Sequence, residues 1–167
     1  MTMVLEKSII CKLGGHVDSN PELIISYPPL EETDADSKDL IYNCLPTGCK
    51  SGDIVIKKYE KFSLISYIFS LKKEMARDDL FSFSILLNKK IEPEIYTYVM
   101  RQFIEILENN NLLSENILIN YQNLIYESFN EEKDLDIDDK TIKLSDLFGN
   151  AKTELKKDKP DLKGHFF

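Results

Sequence analysis

The order of the apolar segments constrains this chain more than any single motif does. Residues 8–13 and 22–27 are short apolar, β-branched runs. The first stops at Gly14-Gly15 and the second at Pro28-Pro29, which cannot donate to a sheet ladder. The Gly-Gly-His-Val-Asp-Ser-Asn-Pro between them is turn chemistry, so the pair reads as a hairpin. Residues 38–45 place Leu40, Ile41 and Cys44 on one helical face before Pro46 and Gly48 end the segment. Three more strand-like runs follow at 53–59, 62–70 and 79–87. Glu92-Pro93-Glu94 then opens a helix, with proline in its first turn and carboxylates at the positive end of the dipole. Ile95, Val99, Phe103, Ile106 and Leu107 recur along it at helical spacing, and it stops near Asn109-Asn110-Asn111. Ser114 caps a second helix with an apolar stripe of Ile117, Tyr121, Leu124, Ile125 and Phe129. Strands in consecutive groups with long helices at the end argue for an α+β fold: a five-stranded antiparallel meander with helices packed on it, not a βαβ nucleotide-binding sheet.

Composition changes after residue 130, where charge rises and apolar residues thin out. The expected organisation is one domain over residues 1–130 and a charged, flexible tail over 131–167. Within that tail Leu144, Leu147, Phe148, Ala151 and Leu155 suffice for one or two amphipathic turns. The net charge of −8 disfavours nucleic acid as a general partner, because phosphate binding needs a basic face. No apolar run approaches the roughly 20 residues that cross a bilayer. Residues 1–10 lack the apolar core of a signal peptide, so a cytoplasmic protein is expected. Three cysteines fit reduced thiols better than a disulfide framework.

The motifs that suggest chemistry each fall short of it. The loop from Pro46 to Asp53 contains Lys50-Ser51, but Cys49 precedes them and no glycine stands upstream at phosphate-loop spacing. It reads as a turn with at most weak anion affinity. Cys44 with Cys49 and Cys11 with His16 offer four zinc ligands in principle, yet the spacing is not that of a knuckle and Cys11 lies mid-strand. Asp134, Asp136 and Asp138 begin like a calcium loop, but Asp139 replaces its glycine and Ser145 its final glutamate. His16 and His165 have no evident nucleophile beside them, so no enzyme, cofactor or metal is expected.

Three segments carry a family resemblance over roughly residues 5–130. They are Ile24-Ile25-Ser26-Tyr27-Pro28-Pro29, Leu45-Pro46-Thr47-Gly48, and Leu80-Phe81-Ser82-Phe83-Ser84-Ile85-Leu86-Leu87. In this order the chain resembles a longin domain, and in particular the longin-like module that precedes DENN domains. Residues 131–167 do not resemble a DENN body or a SNARE helix. The resemblance implies a five-stranded antiparallel sheet with one helix between strands two and three and two after strand five. It also implies a non-enzymatic adaptor in a trafficking-type system, peripheral to membranes through its partners. Its partner would be a small Ras-like GTPase, another longin or roadblock subunit, or a second copy. The expected contacts are Lys50, Lys72 and Lys73; Phe166 and Phe167 either fold back onto the domain or stay disordered, with a short docking peptide as the functional alternative. The alternative is a small-molecule or metal-binding sensor on a profilin-like sheet.

Overall fold

The computed structural model describes residues 4–13, 20–31, 35–72 and 78–158, with side chains in the last helix up to Leu155. Lys73, Phe166, Phe167 and both histidines lie outside the described residues. Two ten-residue strands, β4 (Phe62–Leu71) and β5 (Asp79–Asn88), are buried almost throughout. Both of their faces are apolar, so helices must cover the sheet on both sides. β1 (Leu5–Leu13) pairs with β5, β2 (Glu22–Tyr27) with β1, and β3 (Ile54–Lys58) with β4, all antiparallel. The resulting order is β2-β1-β5-β4-β3. This corrects the expected meander: β1 inserts beside β5 along Leu5↔Leu87 to Leu13↔Leu80, because a strand buried on both faces also needs a neighbour on both edges.

Alternation along the strands separates two cores. On one face, α1 (Ala35–Cys44) lays Leu40, Ile41 and Cys44 over Ile9, Cys11, Leu64 and Leu86. On the other, Ile10, Ile65, Phe69, Phe81, Phe83 and Ile85 meet α2 (Glu94–Asn109) and α4 (Gln122–Glu131). Serines that face the α1 side are paired where the strands allow it: Ser66 and Ser84 lie opposite each other in register and share a hydroxyl bond of 2.6 Å.

The helical stripe expected after Ser114 is interrupted. Ser114 does cap, its hydroxyl accepting from the Ile117 N–H at 3.1 Å, but α3 (Glu115–Asn120) ends at Tyr121, which leaves helical geometry with ψ 12°. The Tyr121 hydroxyl donates to the Asp138 carboxylate at 3.0 Å and accepts from the Asp138 N–H at 3.1 Å, tying the break to the segment beyond α4.

That segment corrects the expected tail. Residues 135–142 form a hairpin, β6 (Leu135–Ile137) and β7 (Lys140–Ile142), and α5 (Leu144–Asp158) follows. Leu135, Ile137, Ile142, Leu144, Phe148 and Ala151 are all buried in the core shared with α2 and α4. The physical reason is position rather than composition: few apolar residues suffice when every one of them points inward. Asp134 fastens the unit by accepting from the Ser145 N–H at 3.0 Å and the Ser145 hydroxyl at 2.6 Å. These bonds hold the Asp134 carboxyl below its ordinary value. A carboxyl depressed by folding adds stability that is present above its unfolded value and is lost as pH falls through the folded one. Asp134→Asn is therefore expected to flatten the acid limb of the stability curve below about pH 4, measured by denaturation at stepped pH.

α4 also clamps the start of β1. The Asn130 side-chain oxygen accepts from the Val4 and Leu5 N–H groups, both at 2.9 Å, and the Tyr126 hydroxyl donates to the Leu5 carbonyl at 2.9 Å. Asn130→Ala orphans two backbone donors and should cost about 1–3 kcal/mol. Asn130→Asp keeps an acceptor and should retain most of the stability. Equal losses in urea melts of the two variants would refute this role.

Candidate interaction surface

The sheet ends on two strands whose outer edges have no partner among the described residues, β2 and β3. Such edges are templates for pairing. On β3, Ile56 lies opposite Ile65 and so points to the α2 side, yet it is 42% exposed. Lys57 and Lys58 follow it, both exposed. On the opposite face, Tyr42 of α1 is 45% exposed. It lines a groove of about 490 Å³ with Lys38 and Ile41 of α1 and with Pro21, Glu22 and Leu23 at the β2 edge. Tyr59 holds α1 from the β3 side: its hydroxyl donates to Asp39 at 3.2 Å and accepts from Asn43 at 3.1 Å. Burial first, and then Asp39, push the Tyr59 hydroxyl up to about 12, so it stays a protonated donor at neutral pH.

A larger cleft of about 890 Å³ opens at the end of the sheet where β1 stops and β5 begins. At its floor the Lys12 ammonium lies 3.4 Å from Asp79, 3.6 Å from Glu115 and 5.7 Å from the centre of the Phe81 ring. Burial pulls the Lys12 ammonium down, but the two carboxylates outweigh it and its pKa is raised. Lys72, Ser70 and Ser51 form one wall, and Glu108, Asn111 and Ser114 another. The volume is in the range of small-molecule sites.

The expected contacts separate in space. Lys72 lines this cleft, whereas Lys50 is exposed in the loop before β3 and does not line it. That loop is internally closed. The Lys50 N–H donates to the Asp53 carboxylate at 2.8 Å, Asp53 N–H to the Lys50 carbonyl at 3.0 Å, and Gly52 N–H to the Ile68 carbonyl at 2.6 Å. Gly48 and Gly52, at φ 90° and 96°, make the two sharp turns. With those N–H groups committed and a carboxylate inside, the loop is a closed turn and no phosphate cradle, as its sequence suggests.

The cysteines regroup as well. Cys44 sits against Cys11 in the α1 core, both fully buried, while Cys49 is half-buried in the loop. Among the described residues no group of three or more His, Cys, Asp or Glu is placed to hold a metal. The three aspartates of the calcium-like run go to different partners: Asp134 to Ser145, Asp136 to Thr141 and Asp138 to Tyr121.

Sequence reading missed Lys12, although a signal exists. In a strand whose Ser8 and Ile10 face the helices, the next inward position is Lys12, and a cation there needs acidic neighbours. No helix of the described residues is long and apolar enough to cross a membrane. No protein-family model matches the chain, and no curated protein matches it.

Proposed function

We propose that this chain is a longin-like adaptor that binds a small Ras-like GTPase or a sister subunit in a trafficking-type system and has no catalytic role. The observation that carries the reading is the strand order β2-β1-β5-β4-β3, with α1 on one face and α2 and α4 on the other. Among the described residues that arrangement leaves two free edges, and it exposes Tyr42 and Ile56 on separate faces, which suits strand addition and helix-face docking more than catalysis. Dimerisation through an edge belongs to the same proposal, as do GTPase contacts at Lys50 and Lys72. The test is the solution mass at several concentrations, alone and with small GTPases of the same source in GDP and GTP forms. A stable dimer or a nucleotide-dependent complex supports the adaptor. A concentration-independent monomer indifferent to every GTPase sinks it. Lys72→Glu should weaken any such complex, and unchanged affinity removes Lys72 from the contact set.

The cleft over Lys12 favours a second reading, a small-molecule sensor on the same sheet. Mass spectrometry of the native chain with copurified ligand retained tests it. Bound mass that disappears in Lys12→Ala supports the sensor, and an unliganded spectrum counts against it.

A further inference from the structure

Cys11 and Cys44 meet across the interface between the sheet and α1. Cys44 is the last residue of α1 and Cys11 lies in the middle of β1, and both belong to the one buried cluster beneath α1. Of the two cores, the one beneath α1 is the smaller: Leu40, Ile41 and Cys44 rest on four sheet residues, Ile9, Cys11, Leu64 and Leu86. α1 rests on fewer buried residues than α2 and α4 do, so it lifts from the sheet at less cost than they do. We infer that Cys11 and Cys44 are a latent staple, which a small disulfide such as oxidised glutathione closes to fix the end of α1 on β1.

In the closed fold both thiols are fully buried, and the contact with Cys44, followed by burial, drives the Cys11 thiol far above its ordinary value. Reaction therefore follows lifting of α1. One cysteine thiolate attacks the glutathione disulfide, whose S–S bond breaks and releases the first glutathione with a proton. The second cysteine then attacks the protein sulfur of the mixed disulfide and releases the second glutathione. The protein pair loses two electrons and two protons, and the glutathione disulfide gains both. The staple would set how freely α1 presents Tyr42, and it stands whether or not the adaptor reading does, since its test contains no partner.

The full chain is incubated with oxidised glutathione, then unfolded, alkylated and digested without reduction. The expected result is a Cys11–Cys44 cross-linked peptide, Cys49 not bridged to either, and a melting temperature raised by about 5–10 °C. Cys44→Ser should abolish the rise. Free Cys11 and Cys44 after oxidation overturn the inference. So do a bridge between Cys44 and Cys49, a bridge that forms only in the urea-unfolded chain, and a rise that persists in Cys44→Ser. The peptide map on the unaltered chain decides the matter even if Cys44→Ser fails to fold.

Discussion

Replacing Phe129 by Ala should lower the stability of this chain by about 3–5 kcal/mol, among the largest effects of any single substitution in it. The Phe129 side chain is fully buried and packs edge-to-face on three other rings. Its centre lies 5.3 Å from that of Phe83 on β5, 5.4 Å from Phe103 on α2 and 6.0 Å from Phe148 on α5. One ring thus joins four elements. Such contacts add about 0.5–1.5 kcal/mol each beyond the area they bury. The cavity left by Ala is held open by neighbours on separate elements, so it cannot collapse cheaply. Against a usual domain stability of about 5–15 kcal/mol, the variant would be marginal. The check is the urea midpoint, with the slope of the transition unchanged. Phe129→Leu should recover much of the loss, because it refills most of the volume. Tyr42→Ala, at a position 45% exposed, should stay within about 0.5 kcal/mol of the parent. If Phe129→Ala matched Tyr42→Ala, the aromatic cluster would not be what holds the helices to the sheet.

The same cluster shows what the sequence makes legible. The five strands and the first long helix could be read because each is a dense apolar run ended by a breaker, such as Pro28-Pro29 after β2 or the three asparagines after α2. Strand order was not legible, because nothing within β1 or β5 says that they pair; that follows from β5 being apolar on both faces and needing two neighbours. The break at Tyr121 was hidden for a related reason. Its stripe is continuous, and only the bonds to Asp138, seventeen residues on, explain the interruption. The Cys11–Cys44 pairing is not legible from cysteine spacing, because the two come together only once α1 folds over β1. Of the expected contacts, Lys72 falls in a cleft and Lys50 in a closed loop, a difference set by Asp53 and not by either lysine.

Ending the chain at Glu132 should have a larger effect than any point change. It removes Leu135, Ile137, Ile142, Leu144, Phe148 and Ala151, all at most 3% exposed, from a core that the preceding residues cannot close alone. Tyr96 on α2 is 4% exposed and packs edge-to-face on Phe148 at 5.3 Å, so both it and Phe129 would be opened to water. The segment escaped sequence reading because its outward positions are nearly all charged, which lowers the mean hydropathy to that of a disordered tail. Pattern, not average, decides here: in the hairpin Leu135 and Ile137 point in while Asp136 between them points out. Each large apolar side chain removed withdraws about 1.5–3 kcal/mol of burial, and several together rival the whole stability of a domain. The truncated chain should therefore lose its cooperative urea transition and bind a hydrophobic dye, while keeping much of its strand and helix signal. Phe148→Ala alone should cost about 3–5 kcal/mol and leave the transition cooperative. A truncated chain that melts like the parent would mean that the hairpin and α5 merely rest on a complete domain, and that residues 131–167 behave after all as the tail their composition suggests.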